Sequence, residues 1–181
     1  MSKAKLHKEL ILLNKEQLIQ LILDAYSARK ETKDYLEFFL NPDINRLFNK
    51  YSTTIHKELR RVKRGHYCKA RISFIKREIK EFSSFQPGYE AEITLLLDTI
   101  KYAIICESQS HFSDTLISGI GSLITMLLDI ANINLVTDSV LQKLHFLLNQ
   151  TNSPTNHFRN YLNNIITLYQ SSSQLSTISH S

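Results

Sequence analysis

Lysine and arginine crowd into one short stretch of this 181-residue chain: Lys57, Arg60, Arg61, Lys63, Arg64, Lys69 and Arg71, interleaved with His56, His66 and Tyr67. Clusters of this kind bind phosphate backbones because each contact releases condensed counterions, and an aromatic ring beside them can stack on a base. The seven cations and Tyr67 are therefore the candidate anion or nucleic-acid site, within a basic segment spanning 57–77. A plainer account competes with it. Ile55, Leu59 and Val62 take the core side of the same helical period, which makes the cations a solvated outer face whose C-terminal members suit the helix dipole. An acidic protein partner is the third possibility, and no named DNA-binding motif accompanies the segment.

Other chemistry is thinner. Cys68 stands among Arg64, Lys69 and Arg71, surroundings that can lower a thiol pKa, although an inert, exposed loop cysteine fits the same residues. His66-x-Cys68 lacks the second short-spaced pair that a structural zinc site needs, and Cys106 with His111 does not supply it. Cys106 continues an apolar helix and reads as core. His145, between Leu144 and Phe146, reads as a partly buried, hydrogen-bonded histidine with no nucleophile tied to it. Asp24, Glu90, Glu92, Asp98 and Asp129 are scattered over different helices, where an acid/base pair would have to be assembled by the fold. Gly119-Ile120-Gly121 is no phosphate loop, because Ile124 stands where a dinucleotide fingerprint has its third glycine. No motif calls for a metal or a cofactor.

The elements that position these residues are helical. Asn14 with Gln17 spells a capping box ahead of a helix over Lys15 to Ala28, which is expected to bury Leu18, Ile19, Ile22, Ala25 and Tyr26. A third helix, Glu31 to Leu40, turns Tyr35, Leu36, Phe39 and Leu40 inward. Asn41-Pro42 marks a boundary. The stripe Ile44, Leu47, Phe48, Tyr51, Ile55, Leu59, Val62 then predicts a helix from Pro42 to Arg64, about 34 Å long at 1.5 Å per residue, with Gly65 as its C-terminal left-handed residue and 65–72 as a loop. Ser73 is expected to cap a helix burying Ile75, Ile79 and Phe82. Gln86-Pro87-Gly88 is a turn, and Tyr89, Ile93, Leu96, Leu97, Ile100, Ala103 and Ile104 mark the long helix after it.

Phe112 to Asn132 is apolar on every helical face, with Ser113 as its cap and Gly119 and Ser122 small enough for close approach by a neighbour. Its uncharged run, Leu116 to Leu128, is 13 residues, short of the roughly 18 expected for a bilayer span. It therefore reads as the central helix of a compact, lipid-free body. Leu141, Leu144, Leu147 and Leu148 form the next stripe. Ser153-Pro154 opens a last helix with Phe158, Tyr161, Leu162, Ile165, Leu168 and Tyr169 inward.

Sparse glycine and proline and the absence of a linker predict an all-α fold: one domain over 1–170, an antiparallel bundle or irregular stack of about eight or nine helices. A Ser-rich tail, 171–181, is expected to be disordered. MSKAKLHKEL has no apolar signal region and the cysteines no disulfide spacing, which points to the cytoplasm. Charge is segregated. Residues 1–50 carry nine basic and seven acidic side chains, 51–80 ten and two, and 81–181 three and eight.

Tyr35-Leu36, Phe38-Phe39, Asn41-Pro42, Phe48, Tyr51 and Ser73 also resemble a domain-of-unknown-function family of short, soluble bacterial proteins, over about Leu6 to Phe85. The resemblance fades beyond Tyr89 and implies no activity. The residues themselves point to a non-enzymatic helical module that acts by binding another macromolecule. Its partner is expected to be a protein, including a second copy of the chain, since the last two helices carry few outward charges. Nucleic-acid or polyanion binding through 57–77 is the alternative, and an enzyme requires the fold to gather the scattered carboxylates or histidines.

Overall fold

The computed structural model describes residues 1–63, 66–150 and 156–178. Arg64, Gly65 and Ser153-Pro154, to which the sequence assigned a candidate cation, a helix stop and a helix start, lie outside the described residues. Among those described there are nine helices and one two-stranded hairpin, so the fold is all-α. By its contacts the chain forms two compact units, Met1–Asp43 and Ile44–Ser181.

The first unit holds α1 (Lys3–Ile11), α2 (Lys15–Ala28) and α3 (Lys30–Leu40). The capping box is formed as read: the Gln17 N–H donates to Asn14 Oδ1 at 2.8 Å and the Asn14 N–H to Gln17 Oε1 at 2.9 Å. Arg29 alone, with extended backbone, joins α2 to α3. Across that joint the Tyr26 hydroxyl donates to Glu37 at 3.0 Å, and Lys33 reaches both Glu37 and the Tyr26 ring. A dry core is missing. No residue of α1, α2 or α3 is buried, and Ile19, Ile22, Tyr35, Phe39 and Leu40, expected inward, are exposed. The helical period was right, but three short helices cannot surround one another's apolar stripes.

The second unit contains α4 (Ile44–Leu59), strands β1 (Val62–Lys63) and β2 (Tyr67–Cys68), α5 (Ile72–Ser84), α6 (Tyr89–Glu107), α7 (Asp114–Ile133), α8 (Thr137–Gln150) and α9 (Asn156–Ile178). Helix α9 thus runs into the serine-rich stretch where the last helix was expected to end. The core is drawn from α4 to α9, with Ile55, Leu59, Ile75, Phe82, Leu96, Ile100, Leu123, Ile124, Leu144 and Leu162 fully or almost fully enclosed. Edge-on packing of Tyr51 against Phe82, with ring centroids 5.7 Å apart, ties α4 to α5.

Helix α7 is the centre. It is the one helix among the described residues long and apolar enough to cross a membrane. In this fold α5, α6, α8 and α9 pack around it, leaving Ser118, Thr125 and Asp129 on an exposed stripe. Two glycines set how closely neighbours come. A Cβ at Gly119 would overlap Ile72 of α5, and one at Gly121 would overlap Ile165 and Tyr161 of α9. The Ser113 side chain accepts from the Leu116 N–H, as the cap reading required.

Some boundaries and faces differ from those expected. Helix α4 stops at Leu59 instead of Arg64, because the chain beyond it is drawn into the β1–β2 hairpin. Helix α5 begins at Ile72, and Arg71 precedes it without a side-chain cap, so Ser73 is inside the helix. His145 is exposed, because α8 buries Val140, Leu141, Leu144 and Leu148 and His145 falls off that stripe. Leu168, expected inward, is also exposed.

Candidate functional site

Glu58, in the last turn of α4, organises the chain as far as Arg71. Its carboxylate is almost fully buried, and Oε1 accepts from Arg61 Nη1 at 2.8 Å and from the backbone N–H and Nε of Arg71, each at 2.9 Å. Arg71 Nη2 donates to Oε2 at 3.2 Å. Hydrogen bonds from Arg71, with those from Arg61 adding to them, pull the Glu58 pKa from 4.5 to about 2 against the opposing effect of burial. By gathering Arg61 and Arg71, the carboxylate closes the intervening chain into a hairpin, with Val62 opposite Cys68 and Lys63 opposite Tyr67. The Lys69 N–H donates to the Arg61 carbonyl at 2.6 Å. A helix continued to Arg64 would forfeit these bonds.

The hairpin is also pinned from the α6–α7 connection. The Cys68 N–H donates to the His111 carbonyl at 2.9 Å, and the His111 N–H donates to the His66 carbonyl at 2.7 Å. His66 adopts φ of +60°, in the left-handed region uncommon for a residue with a Cβ. The Tyr67 and His111 rings lie 5.7 Å apart with planes at 44°.

The fold therefore divides the six candidate cations that lie among the described residues. Arg61 and Arg71 hold Glu58. Arg60 places its guanidinium 5.9 Å from the centre of the Tyr102 ring. Lys57, Lys63 and Lys69 are exposed, and Tyr67 is 58% exposed. Further along, Arg71 and Arg77 both approach the Phe74 ring, at 5.1 and 4.7 Å.

Cys68 is neither exposed nor activated. Its thiol is buried and donates to the Leu59 carbonyl at 3.3 Å, and burial raises its pKa. Val62 faces the same side of the hairpin as Cys68, which turns the thiol away from the lysine-bearing side. Burial pushes Cys106 up to about 11, in keeping with its place in the core.

One of the scattered carboxylates does acquire partners. Asp98 on α6 accepts from Ser52 Oγ at 2.7 Å, and His56 Nε2 lies 2.9 Å from the same oxygen at an angle that leaves that nitrogen without a well-formed hydrogen bond. The His56 ring stacks on Tyr102 at 3.7 Å. A serine nucleophile must pass its proton to the imidazole, whereas here serine and imidazole both address the carboxylate, so the arrangement is no acyl-transfer triad. It joins α4 to α6 as a polar clasp. Reading the residues alone missed Ser52 and Tyr102. The available signal was spacing: Ser52 and His56 share one face of α4, with Arg60 four residues further on in the turn that follows it, and Asp98 and Tyr102 share one face of α6. Among the described residues no cluster of three or more His, Cys, Asp or Glu side chains could hold a metal.

A family model described as a family of unknown function, DUF6155, matches residues 1–165. The chain belongs to DUF6155. The match runs far beyond Tyr89, where the resemblance was expected to fade. It takes in α7, α8 and the start of α9, which share their core with α4 to α6. No curated protein and no solved structure matches the chain. In this DUF6155 protein the hairpin and the α4–α6 clasp are neighbours in sequence, since Arg60, in the turn after α4, reaches Tyr102 just before the chain enters β1.

Proposed function

We propose that the protein is a non-enzymatic helical module that works by macromolecular association, and that its α1–α3 unit docks against a second copy of the chain. One observation carries the reading: α1, α2 and α3 bury no residue, yet expose Leu6, Ile11, Ile19, Ile22, Phe39 and Leu40. Apolar surface concentrated in this way is a mark of an interaction site.

Charge favours a like partner. Residues 1–43 carry seven basic and seven acidic side chains, so two copies meet without net repulsion, and an isologous contact can set each unit's lysines against the other's carboxylates. An anionic membrane would be better matched by an excess of lysine and arginine.

Light scattering across a range of protein concentrations tests the proposal. The expected mass rises toward a dimer for the native chain and stays monomeric for the double variant Ile19→Asp, Phe39→Asp. A native chain that remains monomeric throughout would remove the reading.

A further inference from the structure

We propose that the β1–β2 hairpin, with His111 packed beside it, is a platform for single-stranded nucleic acid. It is a second binding surface, independent of the α1–α3 association. Three features of the hairpin converge on it. Tyr67 presents 58% of its surface to solvent and holds its ring 5.7 Å from that of His111. Lys63 is its cross-strand partner, which puts ammonium and phenol on one face of the hairpin. Lys69, exposed, follows two residues after Tyr67 in the same chain direction.

Aromatic faces beside lysines recognise a strand whose bases are unpaired, because the ring needs an open base to stack on while the ammonium groups need phosphates. A duplex hides its base faces, and an acidic peptide would use the lysines but leave the ring without a role. The platform is also held in place before any ligand arrives. The His111 backbone binds both Cys68 and His66, and the Glu58 carboxylate anchors both ends through Arg61 and Arg71. A fixed platform loses little freedom on binding, which favours affinity.

Fluorescence anisotropy on the full chain, with labelled single-stranded DNA of about 16 nucleotides across a salt series, tests this. Duplex DNA and heparin serve as competitors. The single strand is expected to bind more tightly than the duplex. Tyr67→Ala should weaken it about tenfold, and Tyr67→Phe should leave it unchanged. Lys63→Gln with Lys69→Gln should lower the slope of log affinity against log salt by about 1.4, two phosphate contacts at about 0.7 each. The double variant Ile19→Asp, Phe39→Asp should bind as the native chain does. The proposal is overturned by absence of binding at low salt, or by a Tyr67→Ala protein with native affinity. Equal competition by duplex and heparin would also overturn it, because it would show attraction by charge alone.

Discussion

Helices α2 and α7 both carry runs of branched aliphatic residues, Leu18-Ile19 and Leu21-Ile22-Leu23 in one, Leu116-Ile117, Leu123-Ile124 and Leu127-Leu128 in the other. Their fates differ. Every named residue of α7 is buried, while Ile19, Leu21, Ile22 and Leu23 of α2 are about half exposed. The apolar content of a helix creates a demand for neighbours, and the demand is met only where other helices can reach it. Helix α7 admits α5 and α9 because Gly119 and Gly121 offer no side chain at the crossings. Helix α2 has no such glycine, and its link to α3 runs through Tyr26 and Glu37. A helix that looks like core from its sequence remains, in α2, an exposed surface.

The contrast can be broken at its strongest point. Leu123→Ala removes a fully enclosed side chain and should cost about 3 kcal/mol in urea unfolding, whereas Ile22→Ala should stay within about 0.5 kcal/mol in dilute, monomeric protein. A large loss at Ile22 under those conditions would mean that α2 is packed after all. Next in size, Gly119→Ala should cost about 2 kcal/mol, since the new methyl meets the branched Ile72 near its backbone; Gly121→Ala should cost about 1 kcal/mol, since it presses partly on the movable end of Ile165. Equal effects would show that both crossings have the same tolerance.

Glu58→Gln should cost about 2 kcal/mol, less than a fully dry ion pair would, because Arg61 and Arg71 keep contact with water. The same carboxylate sets an acid limit. Its pKa falls from 4.5 in the unfolded chain to about 2 in the fold, so the stability it contributes is present above 4.5 and is lost as pH falls toward 2. Acid unfolding of the Glu58→Gln protein should therefore lack that component. The smallest effect is expected at Leu135, which has φ of +59° and is 92% exposed at the end of α7. Leu135→Gly should raise stability by up to about 1 kcal/mol, read as a higher melting temperature, because glycine adopts this conformation without strain.

Several of these features could be read directly from residues. Asn14 and Gln17 predicted a capping box, Ser113 a cap and Gly119 a close crossing, and each is present. The stripe of α4 was legible as far as Leu59 and misleading at Val62, whose period continues the helix while its partners draw it into a strand. The candidate basic segment was visible as a cluster, but its division was hidden, because charge counts treat Arg71 on Glu58 and Lys69 in solvent alike. Cys68 showed the same limit: its basic sequence neighbours suggested activation, and burial against Leu59 produced the reverse.

The sequence by itself determined which segments are helical and where most begin, because caps and apolar periods act through hydrogen bonds and contacts only a few residues apart. It also determined that the helix from Asp114 to Ile133 needs neighbours on nearly all sides. Tertiary structure alone decided the hairpin, the clasp and the fate of α2. Glu58 meets Arg71 thirteen positions later, and Ser52 meets Asp98 forty-six positions later. Whether an apolar face is covered depends on which distant elements arrive against it, and no local pattern encodes that arrival.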